Sequence, residues 1–195
     1  MTATKDVFRS PLSLLLFVGT TVAGLFLDLW TKSFALSRLA GNPPAELVPQ
    51  WLQFTYVENH GAVFGIGQGR RWLFVVVSIL AIGFLTYLFA LSAGRKFYQF
   101  LLGVLLAGVL GNMYDRVVFG YVRDMIHALP GFSWPQWMRS FLPPAMANGG
   151  VFPWVFNVAD MLLCVGVFLM IVYSFIHRPV ENAKLSPQPS TDEPG

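Results

Sequence analysis

Four apolar stretches limit what this chain can fold into: Leu12 to Leu29, Trp72 to Leu91, Phe97 to Met113 and Val155 to Ile176. A helix rises ~1.5 Å per residue and a bilayer's hydrocarbon core is ~30 Å thick, so ~20 apolar residues cross it. Each stretch is close to that length. An isolated strand in lipid would leave its backbone groups unpaired, which makes helices the expected form. Composition agrees: 55% of residues are hydrophobic and only 12% are charged, against ~25% charged in a soluble domain. A soluble fold is excluded.

Four spans place both termini on one side of the membrane. The first stretch admits a second reading as a cleaved signal peptide, because Lys5 and Arg9 precede it and Ala23 and Gly24 are small. We favour an uncleaved anchor, since the apolar run continues through Leu25 to Leu27 and reaches Trp30, an interfacial ring. Lys5, Arg9, Arg95, Lys96, Arg178 and Lys184 flank the terminal side, and a similar number of cations lies opposite. Arg95 and Lys96 sit in a very short loop, where the positive-inside rule is strongest, which favours cytoplasmic termini. All six tryptophans, Trp30, Trp51, Trp72, Trp134, Trp137 and Trp154, belong to the other side. Indole prefers the headgroup level, so that face is expected to be broad and bilayer-embedded.

Between the first two spans, residues 45–66 include Leu47 to Val57, rich in β-branched and aromatic residues, and a short strand or hairpin is expected there. The loop 129–154 carries five prolines and Gly149-Gly150, which break any extended helix. Its Phe132, Trp134, Trp137, Met138 and Phe141 suit a short amphipathic piece on the membrane surface. The tail 184–195 is polar and proline-rich and is expected to be disordered, leaving 1–183 as a single integral membrane domain. The lone Cys164 lacks a second thiol and is read as packing. His127 lies three residues from Asp124, a spacing that raises a metal site, but no further ligands accompany it.

Four polar clusters interrupt the apolar pattern. Asp28 and Lys32 close the first span four residues apart, on one helix face. Glu58-Asn59-His60-Gly61-Ala62-Val63-Phe64-Gly65 follows the expected strand. Asn112, Asp115 and Arg116 give the end of the third span one polar face, on which Asp115 and Arg116 neutralise either each other or neighbouring charges. Asn157 and Asp160 share a face where the last span begins. Asp124 stands in Gly120-Tyr121-Val122-Arg123-Asp124-Met125-Ile126. Carboxylates at the edge of a membrane are costly and point to a proton, an ion or a substrate. Asp124 and Asp160 together suggest an acid and a base.

These clusters, in this order and over about Asp28 to Asp160, resemble the lipoprotein signal peptidase (signal peptidase II) family. Its patterns are similar to D-x-x-T-K, N-x-G-A-A-F, G-N-x-x-D-R followed by G-x-V-x-D-F, and F-N-x-A-D. The resemblance implies an all-α membrane protein of four transmembrane helices with a small extracytoplasmic β-cradle and a short surface helix. It places the catalytic aspartates on Asp124 and Asp160. Supporting or substrate-binding residues fall on Asp28, Lys32, Asn59, Gly61, Asn112, Asp115, Arg116 and Asn157. The implied activity is aspartic endopeptidase cleavage of a diacylglyceryl-modified prolipoprotein, just before its lipidated cysteine, in the bacterial inner membrane near the extracytoplasmic face. Membrane lipids are the other expected partners. Neither nucleic acid, cofactor nor metal is expected, and a monomer is the default.

Val63 and Met125 depart from the patterns conservatively. The dyad spacing, 160 minus 124 or 36 residues, is longer than the family's usual loop. The extra segment is either a lid lying on the membrane or an insertion without a role in access. A small proton-coupled transporter or channel is the alternative reading, since it too would place carboxylates in apolar helices. Against it stand the absence of a repeat and the gathering of polar residues at one end of the spans.

Overall fold

The chain threads four long apolar helices and closes one end of the bundle with a four-stranded sheet. A computed structural model describes residues 7–8, 10–61 and 67–177. The tail 184–195, Val63, the end of the 45–66 segment and the cations Lys5, Arg9, Arg178 and Lys184 lie outside the described residues.

Helix α1 runs Pro11–Leu39 and includes a π-helical turn at Leu15–Gly19. It starts where the Ser10 side chain accepts a hydrogen bond from the Ser13 amide at 3.3 Å, with Pro11 at a first-turn position that needs no donor. The apolar run ends at Leu29, yet the helix continues for ten more residues. Thr31 and Ser33 do not break it, because their hydroxyls donate back to the Leu27 and Leu29 carbonyls at 2.9 and 2.8 Å. Helices α2 (Arg71–Ala90) and α3 (Lys96–Val118) follow, joined by a short connection. Two short helices, α4 (Gln136–Arg139) and α5 (Pro144–Gly149), lie in the long loop, and α6 (Val158–Ile176) ends the described chain. The last helix begins at Val158 because Val155 and Phe156 are taken up as a strand.

Helix α3 is the axis of the bundle and packs against α1, α2 and α6. More than half of its apolar window, 56%, is buried, against 22% or less for the other three helices, whose outer faces are left for lipid. Gly108 and Gly111 permit the close approach. A methyl group on Gly108 would lie 2.7 Å from the Ala159 carbonyl, and one on Gly111 would collide with the Asp28 carboxylate. Between the sheet end and the polar residues near the termini the bundle is apolar: Phe17, Leu85, Phe89, Leu102, Leu105 and Leu106 form one buried cluster, with Phe17 stacked on Phe89 at 4.1 Å.

Strands β1 (Ala45–Val48), β2 (Leu52–Asn59), β3 (Val122–Ala128) and β4 (Val155–Phe156) pair in sequence order, all antiparallel. The β1–β2 hairpin turns at Gln50, whose φ is +68°. In β2 four residues, Phe54 to Val57, oppose three in β3, Ile126 to Asp124, so one residue is bulged. Beyond the bulge Asn59 faces Val122 and shares the face of Asp124. Without it Glu58 would occupy that face, setting one carboxylate beside another.

Candidate active site

Asp124 and Asp160 arrive from different kinds of element. Asp124 is carried by β3 and is buried, while Asp160 lies in the first turn of α6. Asn157 joins them. Its Nδ2 donates to Asp124 Oδ1 at 2.6 Å, and its Oδ1 accepts the Asp160 amide at 3.0 Å. Asp160 Oδ2 in turn accepts the Asn157 amide at 3.2 Å, completing a capping box that starts α6. The residue that begins the helix therefore also grips the opposite carboxylate.

Each aspartate has a second amide donor. Asn59 Nδ2 donates to Asp124 Oδ2 at 3.0 Å, while its Oδ1 accepts the Gly61 amide at 3.0 Å. Asn112 Nδ2 donates to Asp160 Oδ1 at 2.8 Å, and its Oδ1 accepts from Lys32 Nζ at 3.0 Å and from Asn157 Nδ2 at 3.2 Å. An ammonium has no acceptor, so Lys32 dictates which way the Asn112 amide faces and hence that Asp160 receives an N–H. Burial, followed by the nearby Asp160 charge, raises the Asp124 carboxyl from its ordinary value to about 7.

A buried charge cluster supports this pair from below. Lys32 Nζ lies 2.7 Å from Asp28 Oδ2 and 3.6 Å from Asp115 Oδ2. Asp28 Oδ1 accepts the Ala159 amide at 2.8 Å, tying α1 to the start of α6. Asp115 is gripped by Arg123, with Nη2 at 2.7 Å and Nε at 3.2 Å, and it also accepts the Arg123 amide at 2.9 Å. Two carboxylates thus face two cations in a water-poor region, which is tolerable only because each is paired and hydrogen-bonded.

Of the two expected possibilities, Asp115 is neutralised by neighbouring charges, Lys32 and Arg123, and not by Arg116. The Arg116 guanidinium leaves the cluster, lies 4.8 Å over Phe74, and donates to the Gly61 and Asn112 carbonyls at 3.1 and 3.2 Å. The ten residues singled out in the sequence divide accordingly. Asp124, Asp160, Asn59, Asn112 and Asn157 form the inner network; Arg116 and Gly61 close its rim; Asp28, Lys32 and Asp115 lie behind it.

Arg123 escaped the sequence reading. The signal was present as a cation in a strand flanked by buried positions, but its partner depends on the turn after α3. There Gly120, at φ +88°, reverses the chain so that β3 runs back past Asp115. Cys164 also differs from expectation. It is exposed on a groove wall rather than packed. Both ring nitrogens of His127 are engaged, by Gln53 at 2.8 Å and the Phe152 carbonyl at 3.1 Å.

Asp124, Asp160, Asn112 and Arg116 line one cavity of about 980 Å³ that extends between apolar side chains of α2 and α6. Such a space admits an extended peptide at its polar end and hydrocarbon along its walls.

Residues 20–176 match the family model for signal peptidase (SPase) II. The chain is 31% identical over 157 residues to a lipoprotein signal peptidase of Listeria welshimeri serovar 6b, covering 80% of this chain and 90% of that one. It is 31% identical over 155 residues to one of Clostridium novyi (strain NT), covering 78% and 92%. Two solved bacterial membrane enzymes share its fold. One has a TM-score of 0.68 at 27% identity and covers 86% of this chain and 92% of its own. The other has 0.64 at 28%, covering 80% and 90%.

Proposed function

The chain belongs to the signal peptidase II family, and on that premise we propose that Asp124 and Asp160 are the acid and base of an aspartic endopeptidase. The proposed substrate is a diacylglyceryl-modified prolipoprotein, cut just before the lipidated cysteine. The observation that carries this reading is the Asn157 bridge, which holds one carboxylate and caps the helix of the other at the polar end of a single cavity.

Two carboxyl groups at close range share one proton more cheaply than they hold two charges. Asp124, raised to about 7, is the member assigned that proton. Asp160 removes a proton from water as the water oxygen attacks the peptide carbonyl, and Asp124 donates its proton to the carbonyl oxygen. In the collapse of the resulting diol, Asp160 gives its proton to the departing nitrogen while Asp124 recovers one from a hydroxyl. The C–N bond breaks and the dyad returns to its starting state. Arg116, at the rim, is suited to hold substrate carbonyl oxygens with its remaining N–H groups. The acyl chains stay beside α2 and α6, which avoids extracting them at ~0.8 kcal/mol per CH₂.

The polar network lies at the sheet end of the helices, which we assign to the extracytoplasmic face, with cytoplasmic termini and a monomeric enzyme. Along α3 the apolar Leu102, Leu105 and Leu106 separate it from the polar residues near the other end, an arrangement unsuited to a proton relay. The decisive experiment incubates detergent-purified protein with a diacylglyceryl prolipoprotein. Asp124→Asn and Asp160→Asn should each abolish cleavage without altering the unfolding temperature by more than a few degrees. Normal turnover by either variant rules out the dyad.

A further inference from the structure

The long loop that separates the two aspartates does not hang free of the site. Its outgoing limb is fastened to the β1–β2 turn, where the Leu129 amide donates to the Trp51 carbonyl at 2.7 Å and the Gly131 amide to the Gln50 carbonyl at 3.0 Å. The two limbs meet where the Val151 amide donates to the Phe132 carbonyl at 2.9 Å. The returning limb then rejoins the sheet through only two register pairs, Ile126 with Phe156 and His127 with Val155. Phe152 stands edge-on to both Trp154 and Phe156, at 5.3 and 6.0 Å. These three rings line the cavity that holds Asp124 and Asp160.

A two-residue strand is a weak attachment for such a wall. His127 adds a side-chain fastening. A backbone carbonyl only accepts, so His127 Nε2–H donates to Phe152 at 3.1 Å, which leaves Nδ1 to accept from Gln53 Nε2 at 2.8 Å. Gln53 lies directly opposite His127 in the β2–β3 register, so the imidazole is clamped between the sheet and the loop.

We propose that His127 is a positioning residue for substrate recognition: it latches Phe152 to the sheet and so sets the aromatic wall that selects apolar side chains beside the scissile bond. The proposal rests on the peptidase reading, and it gives the inserted loop a role in specificity. His127 touches neither aspartate and takes no part in the chemistry.

The test compares wild type with His127→Ala and His127→Gln on two diacylglyceryl peptides that carry either an aliphatic or a charged residue just before the cut. Amide exchange over 151–156 is followed in the same proteins. The alanine variant should raise KM for the aliphatic peptide about 3- to 10-fold, the loss of one hydrogen bond, with kcat within about twofold. Its preference over the charged peptide should shrink, and exchange over 151–156 should quicken. Glutamine, whose amide can still donate to the Phe152 carbonyl, should recover most of both. Unchanged KM and preference in the alanine variant overturn the proposal, as does a fall in kcat alone or a glutamine variant no better than alanine. A wild-type protein that cleaves neither peptide defeats the peptidase reading instead. Exchange over 151–156 then still decides whether His127 is a latch, and an unchanged rate defeats that too.

Discussion

Asn157 Nδ2 lies 2.6 Å from Asp124 Oδ1, and through this contact the N-cap of a membrane helix grips a carboxylate on a β-strand. The same side chain accepts the Asp160 amide. One asparagine therefore sets the helix start and the relative placement of the two acids.

Asn157→Ala removes both functions. Losing the cap costs about 1 kcal/mol of stability. Losing the Asp124 contact misplaces the proposed acid, and kcat should fall about 100-fold, the scale of a ~1 Å displacement. KM should change far less. Steady-state kinetics at saturating lipopeptide separate the two, and a kcat within threefold of wild type contradicts the bridging role.

The Asp124 carboxyl, raised to about 7 by burial and then by the Asp160 charge, predicts a pH profile. Below that value Asp124 carries the proton it must donate; above it the proton is lost and both acids are charged. Activity should fall about tenfold per unit once pH exceeds about 7. A rate that stays flat between pH 6 and 9 removes the proton-carrying role from Asp124.

Arg123→Met strips the guanidinium from buried Asp115 and leaves it the backbone amide of position 123 and Lys32 at 3.6 Å. Breaking a buried pair by removing one partner costs about 3–5 kcal/mol, so the variant should unfold at a markedly lower temperature in detergent. Adding Asp115→Asn removes the stranded charge and should recover part of the loss. If the double variant is less stable than the single, charge imbalance is not the cause.

Gly111→Ala should disturb the site from behind, because the new methyl collides with the Asp28 carboxylate that holds the Ala159 amide. Overpacking of this kind costs about 1–3 kcal/mol. Gly83→Ala, in α2, meets nothing within 4 Å and serves as the control matched for the gain in helix propensity. Equal melting temperatures for the two variants contradict the tight α1–α3 crossing.

Some of this protein is determined by the sequence alone. The four apolar runs demand membrane helices, because hydrocarbon offers no partner to an open backbone. Local spacing likewise places Asp28 with Lys32, and Asn157 with Asp160, each on one helix face. The partnerships across elements were beyond such spacing. Arg116 is the neighbour of Asp115 in the chain, yet a turn at Gly120 delivers Arg123 to it instead. A single bulged residue in β2 decides that Asn59, not Glu58, shares the sheet face of Asp124. Asp124 and Asp160 stand 160 minus 124, or 36, positions apart, and only the return of the long loop through β4 to α6 brings both to one cavity. Periodicity reports which face a residue occupies; what it meets there depends on turns, bulges and helix crossings that form only when the distant segments pack together.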